Sequence, residues 1–176
     1  MTIKQLKPLG RLKLDVRGYS SGFSHEDAMK CVPPQKDELA RIAVPWDPAR
    51  ASQNARPGHY YQERREQKAG QQLALYYWRI DRFTTDERVL VQWWILRGRV
   101  MDEVNAHAGL KAIEDGLFKR GKNDGEGVTY DDSVSFKETQ FVKQLTGASF
   151  RQNEWVVVVI RRHPDQPVKT ERRRAK

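Results

Sequence analysis

The sequence predicts an α/β (α+β) layer fold, with two main helices packed on a small mixed sheet. Three observations predict it. Residues 88–100, RVLVQWWILRGRV, are β-branched and aromatic throughout, as a buried central strand requires. The run WVVVVI at 155–160 is equally strand-forming. Between and before them, residues 60–80 and 105–120 space their apolar side chains by three and four.

In chain order, residues 1–38 mix Lys, Gly, Ser and Pro without a sustained period and read as an N-terminal extension. Val-Pro-Pro at 32–34 marks a boundary, because a residue before proline is pushed out of the helical region. A short strand is expected at Arg41–Val44, stopped by Pro45, and WDPARASQNARPG supplies loop residues. Helix 60–80 turns Ala69, Leu73, Tyr76, Tyr77 and Ile80 inward and Glu63, Arg64, Arg65 and Lys68 outward. Helix 105–120 turns Leu110, Ile113 and Leu117 inward. KNDGEG (122–127) reads as a loop, VSF (134–136) as another short strand, and 155–160 as the last strong strand. The expected organisation is an extension (1–38), one folded domain (39–162) and a basic tail (163–176). Trp93, Trp94, Tyr76, Tyr77 and Trp78 lie inside expected helix and strand interiors, where aromatic side chains pack in cores.

The 176 residues suffice for one domain with a substantial core. No apolar run approaches the 18 or so residues of a membrane span, and the first residues lack the apolar stretch of a secretory signal. Cys31 is the single cysteine, which excludes an intramolecular disulfide and a cysteine-rich zinc site. The expected setting is the cytoplasm. A net charge of +9 attracts polyanions, of which nucleic acid is the usual one.

The chemistry-bearing residues concentrate between 99 and 132. Asp102, Glu103, Lys111, Glu114, Asp115, Asp131 and Asp132 surround one helix and its flanking segments. Hard carboxylate oxygens are what Mg2+ or Mn2+ requires, and an ion held by two or three of them activates a phosphodiester. A nearby lysine stabilises charge on the transferring phosphate. The plainer alternative is a surface ion pair between Lys111 and Asp115 and an Asp-rich turn at 131–132. His107 reads as a polar surface residue ahead of a general base, and His25, His59 and His163 lack zinc-ligand spacing. GKNDGEG lacks the Lys-Ser/Thr ending of a phosphate-cradling loop. Arg56, Arg64, Arg65, Arg97 and Arg99 are candidates for phosphate contact.

The string N-AHAGL-K-AIE-DGL followed by a loop and DDS resembles the signature of RusA-type Holliday-junction resolvases, as does IAVPWDPARASQNARPGHYY upstream. The resemblance spans about 41–162. It implies Asp102 as the first motif aspartate and a metal ligand, Asn105 as the motif asparagine, and Lys111 beside the scissile phosphate. It implies Asp115 as the helical aspartate and Asp132, with Asp131 its neighbour, as a further ligand. Val104 stands where the family has its second motif aspartate, so Glu103 or Asp115 would have to replace it. The resemblance further implies a Mg2+-dependent (or Mn2+-dependent) endonuclease of recombination and repair. It would be a homodimer cutting branched DNA in paired nicks, with Asn54, Arg56, Arg97, Arg99 and Asn105 facing the DNA. The alternative is a DNA-binding protein that keeps the fold without catalysis.

Overall fold

The computed structural model describes residues 23–51, 60–151 and 153–165. Asn54, Arg56 and His59 lie outside them. The order of elements is α1 (His25–Cys31), β1 (Glu38–Val44), α2 (Tyr60–Asp81), β2 (Val89–Arg97), α3 (Glu103–Leu117), β3 (Lys137–Thr146) and β4 (Trp155–Arg162). Short 3-10 turns occur at Pro48–Ala51, Arg120–Lys122 and Ala148–Phe150.

The four strands form one mixed sheet in the order β1-β4-β2-β3. β4 is antiparallel to both β1 and β2, and β3 runs parallel to β2. The structure is therefore α+β, with helices flanking a small sheet. Alternation along the inner strands decides which side chain meets which layer. Val89, Val91, Trp93 and Ile95 of β2, with Val156, Val158 and Ile160 of β4, pack under α2 and α3. Trp94 and Leu96, with Trp155, Val157 and Val159, face the other way and pack with Ala28 and Val32 around α1. Trp78, Trp93 and Trp94 are buried, but α2 does not turn in the whole face expected of it: Ala69, Tyr76 and Ile80 are exposed, and the buried ridge is Gly70, Ala74 and Trp78, because small residues there let α3 approach.

Small residues set the approach of the helices. A Cβ added to Gly116 on α3 would lie 2.7 Å from the Gln71 carbonyl oxygen and 2.9 Å from Ala74 Cβ of α2. At Gly109 an added Cβ would collide with the Pro48 backbone, while the Trp46 indole N–H donates to the Gly109 carbonyl at 3.0 Å. The Pro-Trp-Asp-Pro segment is thus docked on α3.

Two elements also differ in extent from the sequence reading. Residues 134–136 lie in a turn, and the strand there begins at Lys137 and continues to Thr146. β3 is an edge strand paired on one side only. Its sequence, KETQFVKQLT, buries just Lys137, so neither a hydrophobic run nor a clean alternation announces it. The expected extension also contributes to the fold from Phe23 onward. Ser24 caps α1 through a reciprocal capping box with Asp27, and the bonds from the Ser24 side chain and backbone hold that carboxyl below its usual range. The Arg41 guanidinium donates to the carbonyls of Met29 and Val32, tying α1 to β1.

Candidate metal centre

The site forms where α3 returns to the end of the sheet at which β2 and β3 begin. Glu114 and Asp115 occupy the last turns of α3. The Asn123 side-chain amide donates to the carbonyls of Asp115 and Gly116, both at 2.9 Å, closing that helix end. The chain then reverses through Asp124 and Gly125, with φ of 52° and 85°. Backbone bonds from Val128 N to Leu117 O, Arg120 N to Thr129 O and Gly121 N to Tyr130 O lay the following segment beside α3. Asp131 shapes the last step, its Oδ1 accepting from the Asp132 amide at 2.7 Å. The outcome is a trio: one carboxylate oxygen each from Glu114, Asp115 and Asp132 lie within 4.8 Å of one another.

Three ammonium groups interleave with the trio. Lys111 Nζ stands 2.9 Å from Glu114, 3.1 Å from Asp115 and 2.7 Å from Asp132. Lys119 reaches Asp115 at 2.7 Å and Asp132 at 3.4 Å. Lys137, buried at the start of β3, bonds Glu114 and lies 5.5 Å from the Phe118 ring centroid. Partial burial pushes the Asp132 carboxyl up. The Lys111 hydrogen bond, helped by Asp131 and the charge of Lys119, overrides burial and holds Asp132 far below the usual carboxylate range. Burial likewise pulls Lys111 and Lys119 down, and their carboxylate partners more than reverse it, so both ammoniums titrate above the ordinary lysine value. The three carboxylate oxygens, drawn from two segments, lie close enough together to hold a metal ion.

The residues named from sequence divide into two groups. Lys111, Asp115 and Asp132 come together, with Asp131 as the shaping neighbour. Asp102 and Glu103 do not join them. β2 and α3 run in opposite directions, and thirteen residues of helical rise place Asp102 about 20 Å from Asp115. Asp102 is the N-cap of α3, accepting from Asn105 N at 2.9 Å. That backbone bond, with the Asn105 side-chain amide, holds its carboxyl below the usual range. Glu103 is solvent-exposed and faces His107 at 3.8 Å. Val104 is exposed beside them. The sharing of one ion by Asp102 and Asp132 is thereby corrected: Glu114 takes the third place.

The candidate DNA contacts are redistributed too. Asn105 is buried with its amide spent on the Asp102 carboxylate, so it does not face a partner. Arg97 lies 3.8 Å from Asp47 and is largely covered. It also acts on Glu154, whose carboxyl is pushed up by burial and by Asp47 and pulled down by Arg97. Arg99 is exposed. Sequence reading missed Lys119 and Lys137 and placed Glu114 in the acidic cluster without naming it as a ligand. The four-residue ladder 111/115/119 contains the signal for Lys119, whereas nothing local points to Lys137, which arrives from the far end of a loop.

Among the described residues no helix is long and apolar enough to cross a membrane. No protein-family model, curated protein or solved structure matches the chain.

Proposed function

We propose that the chain is a metal-dependent endonuclease acting on branched DNA, with Glu114, Asp115 and Asp132 as the metal-holding carboxylates and Lys111 and Lys119 as phosphate-facing cations. The observation that carries this reading is the convergence of three partly buried carboxylates and these lysines at one edge of the fold. A bound divalent ion would supply Lewis-acid polarisation of the phosphodiester and a hydroxide nucleophile. Lys111, about half exposed, is free to swing toward a phosphate oxygen and leave the carboxylates to a cation. Lys137 is too buried to touch a substrate and holds Glu114 in place. The preference for branched DNA and a twofold assembly rest on the resemblance to RusA-type resolvases.

A specific observation favours a second reading. Lys111 touches all three carboxylates, and three ammoniums balance three carboxylates without any metal. The trio would then be a structural ion network in a DNA-binding protein without catalysis. A labelled four-way junction and a matched duplex, each incubated with wild type, Glu114→Gln and Asp132→Asn in Mg2+, Mn2+ or EDTA, separate the two. Metal-dependent nicking of the junction that both variants lose supports the enzyme. Junction binding without cutting in either metal leaves the second reading.

A further inference from the structure

The segment that delivers Asp132 also carries apolar side chains that no core claims. After α3, the large hydrophobic side chains left exposed among the described residues are Tyr130, at 57%, and Val134, at 76%. They stand two residues to either side of Asp132. Val128 and Thr129, immediately before Tyr130, are fully buried, so the chain turns outward at the tyrosine. A single exposed apolar residue is ordinary on a protein surface. Tyr130 differs because its ring is held in place.

The Gly121 amide donates to the Tyr130 carbonyl and the Arg120 amide to the Thr129 carbonyl, both at 3.0 Å, which lays the two segments side by side. The Tyr130 ring is seated at Gly121: a Cβ there would stand 3.0 Å from its Cζ and 3.1 Å from its Cε2. Any other residue at 121 would have to push the ring aside. Phe136 supports it from another direction, with ring centroids 6.1 Å apart and planes at 49°. A ring fixed in this way loses little rotamer freedom when a partner arrives, and more than half of its surface is left to one. Lys119, just ahead of the residues that bond the tyrosine segment, places its ammonium 3.4 Å from Asp132. Tyr130 and Asp132 are two residues apart, so their Cα atoms are at most about 7 Å apart. One reversal of the chain thus presents a flat ring, an ammonium and a carboxylate of the trio.

We infer that Tyr130 is a stacking platform for an unpaired base, and that it gives the site its preference for branched over continuous duplex DNA. The inference rests on the nuclease reading above and names what that site would recognise besides phosphate. Phosphate contacts position a nucleic acid without telling a branch from a duplex. Every base has a π-face, but in a continuous duplex that face is spent on neighbouring bases. A branch point or a single strand offers it to a side chain. The occupant is a base and not a second copy of the chain, on grounds of area and charge. Tyr130 and Val134 alone fall far short of the roughly 800 Å² per partner of a stable interface. Lys119 and the exposed Lys122 bracket Gly121 in the chain, which suits a ligand that carries phosphates.

The test compares full-length wild type with Tyr130→Phe, Tyr130→Leu and Tyr130→Ala in EDTA, where binding is read without cutting. Fluorescence anisotropy gives the affinity for a four-way junction, a matched duplex and a single strand, and 2-aminopurine at the branch point reports stacking. Loss of a base–aromatic stack is expected to weaken junction and single-strand binding about 5- to 150-fold in the Leu and Ala variants. Duplex affinity is expected to stay the same in every protein, and the Phe variant to match wild type, quenching of 2-aminopurine included. The Leu variant keeps apolar bulk without a ring, so wild-type affinity and quenching in it overturn the inference. A loss of equal size on duplex and junction overturns it too. A wild-type dimer that Tyr130→Ala splits, with DNA affinity unchanged, assigns the ring to a second copy and has the same consequence. Wild type that stacks a base on Tyr130 yet never cuts in Mg2+ or Mn2+ sinks the nuclease reading and supports this inference. Wild type that cuts junctions, with Tyr130→Leu binding and cutting as well, does the reverse. Wild type that binds none of the three DNAs overturns both.

Discussion

Replacing Lys111 with Met removes an ammonium that touches all three carboxylates and keeps most of the side-chain volume. Its Nζ lies 2.7–3.1 Å from Glu114, Asp115 and Asp132. At about 3 Å and an effective dielectric near 20, each pairing has a gross Coulomb attraction of about 5 kcal/mol. The side chain is 47% exposed, so solvent screening reduces each pairing to the roughly 0.2–1 kcal/mol measured for exposed pairs. Three pairings sharing one ammonium then sum to about 1–2 kcal/mol, or about 2–8 °C of melting temperature for a chain of this size. Lys111→Met is therefore expected to melt lower than wild type in EDTA at pH 7, by scanning fluorimetry or circular dichroism. Adding Mn2+ should reverse the order of response. The variant's site gains an uncompensated negative charge, so it binds the ion more tightly and its melting temperature rises more than that of wild type. An ion present at a hundred times its Kd stabilises by about 2.7 kcal/mol.

The pH response follows from Asp132. Its folded-state pKa is depressed, so its ionised form contributes stability that is present above the ordinary carboxylate value, about 4, and is lost as pH falls through the folded value. Without Lys111 that depression shrinks, and the variant has less to lose between pH 5 and pH 2. Its stability curve should be shallower there than that of wild type. Equal melting of both proteins in EDTA, or a Mn2+ shift in neither, would refute the energetic account of the trio.

Two further outcomes test where the sequence-derived residues stand. Asp102→Ala removes an N-cap and should lower the melting temperature by about 2–4 °C, whereas Asp102→Asn should melt near wild type and both should bind Mn2+ as wild type does; loss of Mn2+ binding in the Asn variant would return Asp102 to the metal site. Gly109→Val drives a branched side chain into the Pro48 backbone and should destabilise by about 1–3 kcal/mol or more, checked by urea denaturation; an unchanged midpoint would show that the Pro-Trp-Asp-Pro segment is not docked as described.

Much of the fold was legible in the sequence because its central parts obey local rules. β2 and β4 are buried on both faces, so they read as continuous apolar runs, and α3 buries one stripe, so it reads as periodic; α2 reads as a helix, but its buried ridge of Gly70, Ala74 and Trp78 is hidden from an apolar count by its two small residues. β3 and α1 were not legible. An edge strand buries little, and a seven-residue helix holds too few turns to show a period. Within the candidate site the sequence by itself determined the helical pair of Lys111 and Asp115, since four-residue spacing on a helix puts side chains on one face. It also placed Asp131 and Asp132 after a glycine-rich reversal. Only the tertiary structure decided which end of α3 that reversal reaches. The direction of α3 against β2 sends Asp102 to one end of the sheet and Asp115 to the other, and the parallel pairing of β3 with β2 brings Lys137 under Glu114. Sequence distance cannot express that choice, because thirteen residues span about 20 Å in a helix while twenty-odd residues of returning loop span almost none.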